Sequence, residues 1–107
     1  MITSKLKLFS FYKFIKISNP AEVKSYLDNF CKGKTVRGTI LLANEGINAS
    51  ISGREQDLQN IIGKINILLD VADLKIRNTP IEFLPFNKMK VRIKKEIVSL
   101  GKNEINI

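Results

Sequence analysis

Two stretches of helical hydrophobic spacing lie among stretches of strand character, and their order along the chain is what most restricts its fold. Leu6 to Ile17 (LKLFSFYKFIKI) is dense in aromatic and branched residues and holds neither Gly nor Pro. Apolar groups fall on both of its alternating faces, the pattern of a central strand. The run ends at Ser18-Asn19-Pro20, where Asn19 suits a helix N-cap, Pro20 the first helical position, and Glu22 stands three residues after the cap. Val23, Tyr26, Leu27, Phe30 and Cys31 then form one apolar stripe at helical spacing, and Gly33 ends it.

The same reading continues downstream. Thr35 to Ala43 is a branched, apolar strand, Asn44-Glu45-Gly46 a turn, and Ile47 to Ser52 a strand with clean alternation. So short a connection makes the two an antiparallel hairpin. Ser52 and Glu55 have the spacing of a capping box. From Arg54 to Leu69, Leu58, Ile61, Ile62, Ile65 and Leu69 line a second amphipathic helix, in which Gly63 suggests close packing. Leu74 to Arg77 reads as a short strand, the proline-bearing Asn78 to Asn87 as a loop, and Lys88 to Leu100 as the last strand, closed by Gly101. The resulting βαββαβ order predicts an α+β, ferredoxin-like (acylphosphatase-like) sandwich: a four-stranded antiparallel sheet with both helices on one face. Its other face is left open, and function is expected there.

A chain of 107 residues is read as one domain, residues 1–107, with one core. No apolar run approaches the ~18 residues of a membrane span, and Met1 to Lys5 lacks the pattern of a signal peptide, so the expected compartment is the cytoplasm. The lone Cys31 agrees with a reducing environment. The chain has no histidine. A zinc site of Cys and His ligands and any Ser-His-Asp or Cys-His nucleophile are therefore excluded within it, and no metal or cofactor is expected. Cys31, on the apolar stripe, reads as a buried structural thiol. Acylphosphatases share the strand order but need an arginine-bearing phosphate cradle after the first strand. Ile17-Ser18-Asn19-Pro20 offers none, so that activity is not expected.

Charge is the remaining signal. Eighteen Lys and Arg against ten Asp and Glu give a net charge of +8, a balance suited to phosphate-rich partners and also to an AT-rich codon bias. Five of the cations, Lys88, Lys90, Arg92, Lys94 and Lys95, fall within eight residues. Alternation turns Met89, Val91 and Ile93 toward the helices and Lys90, Arg92 and Lys94 toward the open face, with neighbouring cations ~6.6 Å apart. Two readings stand: a phosphate track for RNA, or lysines that protect an edge strand. Of the first-strand aromatics Phe9, Phe11, Tyr12 and Phe14 some must face outward, where bases could stack, although such aromatics are more often core. The third strand lacks the aromatic signature of an RNA recognition motif. Asn44, Glu45 and Asn48 cluster at the hairpin tip beside the open face, where Glu45 and Asn48 suit a domain-docking or substrate-adjacent contact.

Three segments resemble a known family. Phe11-Tyr12-Lys13-Phe14, Leu42-Ala43-Asn44-Glu45-Gly46-Ile47-Asn48, and Lys90-Val91-Arg92-Ile93-Lys94-Lys95-Glu96-Ile97-Val98 with Leu100-Gly101 are similar to the N-terminal domain of the rhodanese-domain-containing tRNA uridine hydroxylases. The resemblance implies oxygen-dependent formation of 5-hydroxyuridine at the tRNA wobble position, with molecular oxygen as substrate and tRNA as partner. It also implies that the cysteine implicated in activity belongs to a rhodanese domain, which follows the segment matching Gly101. This chain ends six residues after Gly101, so that domain is expected to be absent here and Cys31 does not inherit the role. The chain alone is expected to be an accessory, not a catalyst. Two functions follow: a domain that contacts tRNA, or an interaction module that docks the rhodanese domain without touching RNA.

Overall fold

The computed structural model describes residues 6–85 and 87–95. Its elements are β1 (Leu6–Phe14), α1 (Pro20–Cys31), β2 (Val36–Ala43), β3 (Gly46–Arg54), α2 (Glu55–Leu69), β4 (Arg77–Ile81) and β5 (Met89–Ile93). The strands form one sheet in the order β4-β1-β3-β2-β5. Strand β1 is antiparallel to both β3 and β4, β2 is antiparallel to β3, and β5 lies parallel to β2.

The α+β, ferredoxin-like class read from the sequence is the one observed, with one difference in how the sheet is completed. The strand that closes the βαββαβ motif is Arg77–Ile81, a segment read mostly as loop, and Met89–Ile93 is a fifth strand. The reason is the free edge of β1. After α2 the chain returns beside that edge, and residues 77–81 pair with Leu6 to Ser10. Pro80 is tolerated because β4 pairs on one side only, so its missing N–H removes no bond from the other side. The chain then crosses to the far edge and adds β5 parallel to β2, which makes the sheet mixed where a wholly antiparallel one was expected.

The core lies between one sheet face and the helices. Phe9, Phe11, Ile40, Leu42, Ile47, Ala49, Ile51 and Val91 meet Val23, Leu27, Cys31, Leu58, Ile61, Ile62 and Ile65, and all are buried. Helix α1 starts as its sequence dictates. The Asn19 side chain accepts the Glu22 N–H at 3.2 Å, satisfying a donor that the first turn leaves unpaired, and its amide donates to the Glu22 carboxylate at 3.2 Å. Gly33, at φ 81°, ends the helix. Tyr26, placed on the apolar stripe, is instead half exposed.

Two local expectations are corrected. Ser52 does not cap α2: β3 continues to Arg54, and the buried Ser52 hydroxyl donates to the Arg37 carbonyl at 3.1 Å. Gly63 marks no close approach, since a Cβ there would meet no atom within 4 Å. Close approach occurs instead at Gly38, at φ 138°, where a Cβ would collide with the Ser50 backbone, and at Gly53, where it would meet the Thr35 carbonyl at 2.9 Å.

Candidate functional site

On the face away from the helices the strand registers align side chains into rows. Arg77 of β4 stands opposite Ser10 of β1, Ser10 opposite Ser50 of β3, Ser50 opposite Thr39 of β2, and Thr39 opposite Lys90 of β5. Three hydroxyls thus lie in line between two cations, over roughly 19 Å at a strand spacing of ~4.8 Å. The next row holds Tyr12, Asn48, Leu41 and Arg92. Paired residues of neighbouring strands share a face, so both rows belong to one surface.

The cations expected on this face lie along its β5 margin. Lys90 and Arg92 alternate with the buried Val91 and are exposed, as their positions in the strand predict. Lys88 and Lys94 flank the strand and are exposed; the Lys88 carbonyl accepts the Gly38 N–H at 3.0 Å, and the Lys94 N–H donates to the Leu42 carbonyl at 2.8 Å. Lys95 is exposed just beyond. The β5 strand ends at Ile93, and the remainder of the segment read as strand, from Glu96, lies outside the described residues. None of the five cations forms an ion pair or a side-chain hydrogen bond among the described residues. Because β5 is an edge strand, the same residues also guard its open backbone.

The polar trio at the hairpin is divided by the structure. Asn44 is built into the fold: its side chain donates to the Ile17 carbonyl at 2.9 Å, and its own carbonyl accepts the Ile17 N–H at 2.9 Å. The Glu45 carbonyl accepts the Ile15 N–H at 2.9 Å, so the turn backbone continues the pairing of β1 past its end. Asn48 lies apart from these two, on the open face, in the floor of a groove of about 490 Å³. That groove runs between the middle of the sheet and the segment leading into β4. Tyr12, Asn48 and Ser50 line its floor; Asp73, Lys75 and Arg77 line its wall. At its rim Lys13 pairs with Asp73 at 3.3 Å.

Sequence reasoning missed the groove's cations, Lys75 and Arg77, because the stretch that carries them was read as a short strand running into a loop. The usable signal was their basic, odd-numbered spacing before Asn78-Thr79-Pro80. Sequence reasoning expected some of the first-strand aromatics to face outward without saying which. Phe9 and Phe11 are in the core, and Tyr12 and Phe14 are 60% and 57% exposed, with ring centroids 6.0 Å apart and edge to face. Cys31 is buried at the end of α1, and burial pushes its thiol up to about 11 against the opposing pull of Lys34. A protonated, enclosed thiol is a poor nucleophile at neutral pH, in keeping with a structural role.

Residues 6–97 match the family described as the UPF0176 acylphosphatase like domain. The chain belongs to this family. Among curated relatives of the UPF0176 domain, the tRNA uridine(34) hydroxylase of Pelagibacter ubique is 43% identical over 95 residues, covering 88% of this chain and 32% of that protein. The tRNA uridine(34) hydroxylase of Gluconobacter oxydans is 35% identical over 101 residues, covering 94% of this chain and 32% of that protein. The chain therefore spans about a third of the length of the curated relatives it matches. Two solved structures show the UPF0176 fold more widely. BlrB, a BLUF protein, superposes with a TM-score of 0.69 at 13% identity, covering 95% of this chain and 83% of that one. The acylphosphatase from Bacillus subtilis superposes with a TM-score of 0.60 at 9% identity, covering 80% and 97%. At such identities the likeness is one of fold alone.

Proposed function

We propose that this domain is the tRNA-contacting, non-catalytic N-terminal part of a cytoplasmic tRNA uridine hydroxylase. In this reading the whole protein forms 5-hydroxyuridine at the wobble position with molecular oxygen as substrate. The chemistry belongs to a rhodanese domain in the part of the relatives' length that this chain does not span. The domain needs no metal or cofactor of its own. It supplies positively charged surface that holds the tRNA while the reacting uridine is treated elsewhere. No helix among the described residues is long and apolar enough to cross a membrane.

One observation carries the reading: Lys90 and Arg92 stand exposed on the open face and form no ion pair among the described residues. A face built only to be covered by a protein domain would bury these charges, and an unpaired buried cation costs several kcal/mol. A phosphate backbone accepts them without that cost, since each contact also releases condensed counterions. The test is fluorescence anisotropy with a labelled anticodon stem-loop at several salt concentrations. The chain is compared with its Lys90→Gln, Arg92→Gln, Lys94→Gln triple variant. Each lost phosphate contact lowers the slope of log affinity against log salt by about 0.7 to 0.9. Identical curves for the two proteins would overturn the reading in favour of a module that docks the rhodanese domain without touching RNA.

A further inference from the structure

We infer that the groove beside β4 receives one unpaired nucleobase, which stacks on the Tyr12 ring while Lys75 and Arg77 hold the flanking phosphates. The inference rests on reading this face as an RNA contact and adds what part of the RNA the groove takes.

Size comes first. At about 490 Å³ the groove lies in the range of sites that enclose small ligands, ~300–1,000 Å³. It can admit a single base and excludes a duplex, whose bases are stacked and paired inside the helix. The aromatic surface comes second. Tyr12 lines the groove and is 60% exposed, with the Phe14 ring set edge to face beside it at 6.0 Å. Scattered exposed aromatics are ordinary on a protein surface, but a Tyr12 ring that lines a polar groove and is braced by Phe14 offers a π-face of the kind on which unstacked bases settle. The floor comes third. The Ser10 and Ser50 hydroxyls can each donate and accept, which the edge of a base can use.

The wall decides the sign of the occupant. Asp73 would repel a phosphate, but Lys13 already sits 3.3 Å from its carboxylate. Lys75 and Arg77 form no ion pair among the described residues. The groove is therefore cationic where a sugar–phosphate backbone would enter. Arg77 also heads the row that runs through Ser10, Ser50 and Thr39 to Lys90. One strand could thus leave the groove and cross the sheet toward the β5 cations.

The experiment separates this inference from the broader reading. Affinity for an anticodon stem-loop is measured for the chain, for Tyr12→Leu and for Tyr12→Phe, each with the intact RNA and with RNAs carrying a single abasic site at successive loop positions. Thermal melts of the variants confirm the fold, which Tyr12, being mostly exposed, does not hold together. Loss of one aromatic–base stack lowers affinity roughly 5- to 150-fold. Tyr12→Leu should show that loss with an unchanged salt slope, and Tyr12→Phe should keep most of the affinity. An abasic site at one loop position should weaken the parent chain by a similar factor and Tyr12→Leu hardly at all. If the chain binds the RNA but Tyr12→Leu binds equally well, or if no abasic position matters, the base-stacking groove is wrong and the RNA reading survives. If the parent chain shows no RNA binding and instead captures a rhodanese domain through this face, both readings fail.

Discussion

On the helix-covered side of the sheet, Phe9, Ile40, Ile47 and Ile51 are closed to solvent among the side chains of α1 and α2. On the opposite side the same three strands carry Ser10, Tyr12, Thr39, Asn48 and Ser50, and β5 adds the exposed Lys90 and Arg92. Each pair of neighbours in the sequence is split between the two surfaces, because successive strand side chains point to opposite faces. The difference teaches that fold and contact are written in alternate residues of the same strands. Changes at the buried positions of one parity should destabilise the chain, and changes at the exposed positions of the other should alter what it binds.

The sharpest way to break that comparison is to damage the covered face. Gly38→Ala should cost most, since its Cβ would meet the Ser50 backbone, which cannot swing aside as a side chain would. Ile61→Ala and Ile65→Ala, both fully buried on α2, should each cost ~2–5 kcal/mol through lost burial and the cavity left behind. Ser50→Ala, on the open face directly across from Thr39, should change stability by no more than ~0.5 kcal/mol. Urea titrations measure all four. Equal losses at Ile61 and Ser50 would mean that both faces are covered.

A smaller effect of opposite sign sharpens the account. Gly63 lies inside α2 with open space where a Cβ would stand. Gly63→Ala should therefore stabilise the chain by up to ~1 kcal/mol from helix propensity alone. A rise in the urea midpoint checks it; a fall would show that something does pack against that turn.

What the sequence made legible was whatever is decided locally. The start of α1 could be read because Asn19, Pro20 and Glu22 fix it within one turn. The β2–β3 hairpin could be read because Asn44-Glu45 joins a branched, apolar strand to one of clear alternation, and Ala43 does pair with Gly46. The buried stripe of Leu58, Ile61, Ile62 and Ile65 follows from helical period. What was lost depends on partners far away in sequence. Arg77–Ile81 contains Asn, Thr and Pro and has no strand signal of its own; it is a strand because β1 has a free edge to pair with. Reading Leu74 to Arg77 as a strand that runs into a loop hid Lys75 and Arg77 as the wall of the groove. Ser52 looked like a cap because its spacing to Glu55 is right, but the Arg37 carbonyl across the hairpin claims its hydroxyl first. Tyr12 and Phe14 could not be told from Phe9 and Phe11 without knowing which parity the helices cover.

In the proposed function the open face, and not the helix layer, meets RNA. Amide chemical-shift mapping of the isotope-labelled chain during titration with an anticodon stem-loop tests it most directly. The largest shifts should cluster at Ser10, Tyr12, Asn48, Ser50, Arg77, Lys90 and Arg92, with α1 and α2 nearly unmoved. Shifts centred instead on the helices, around the exposed Tyr26 and Ile67, would contradict it.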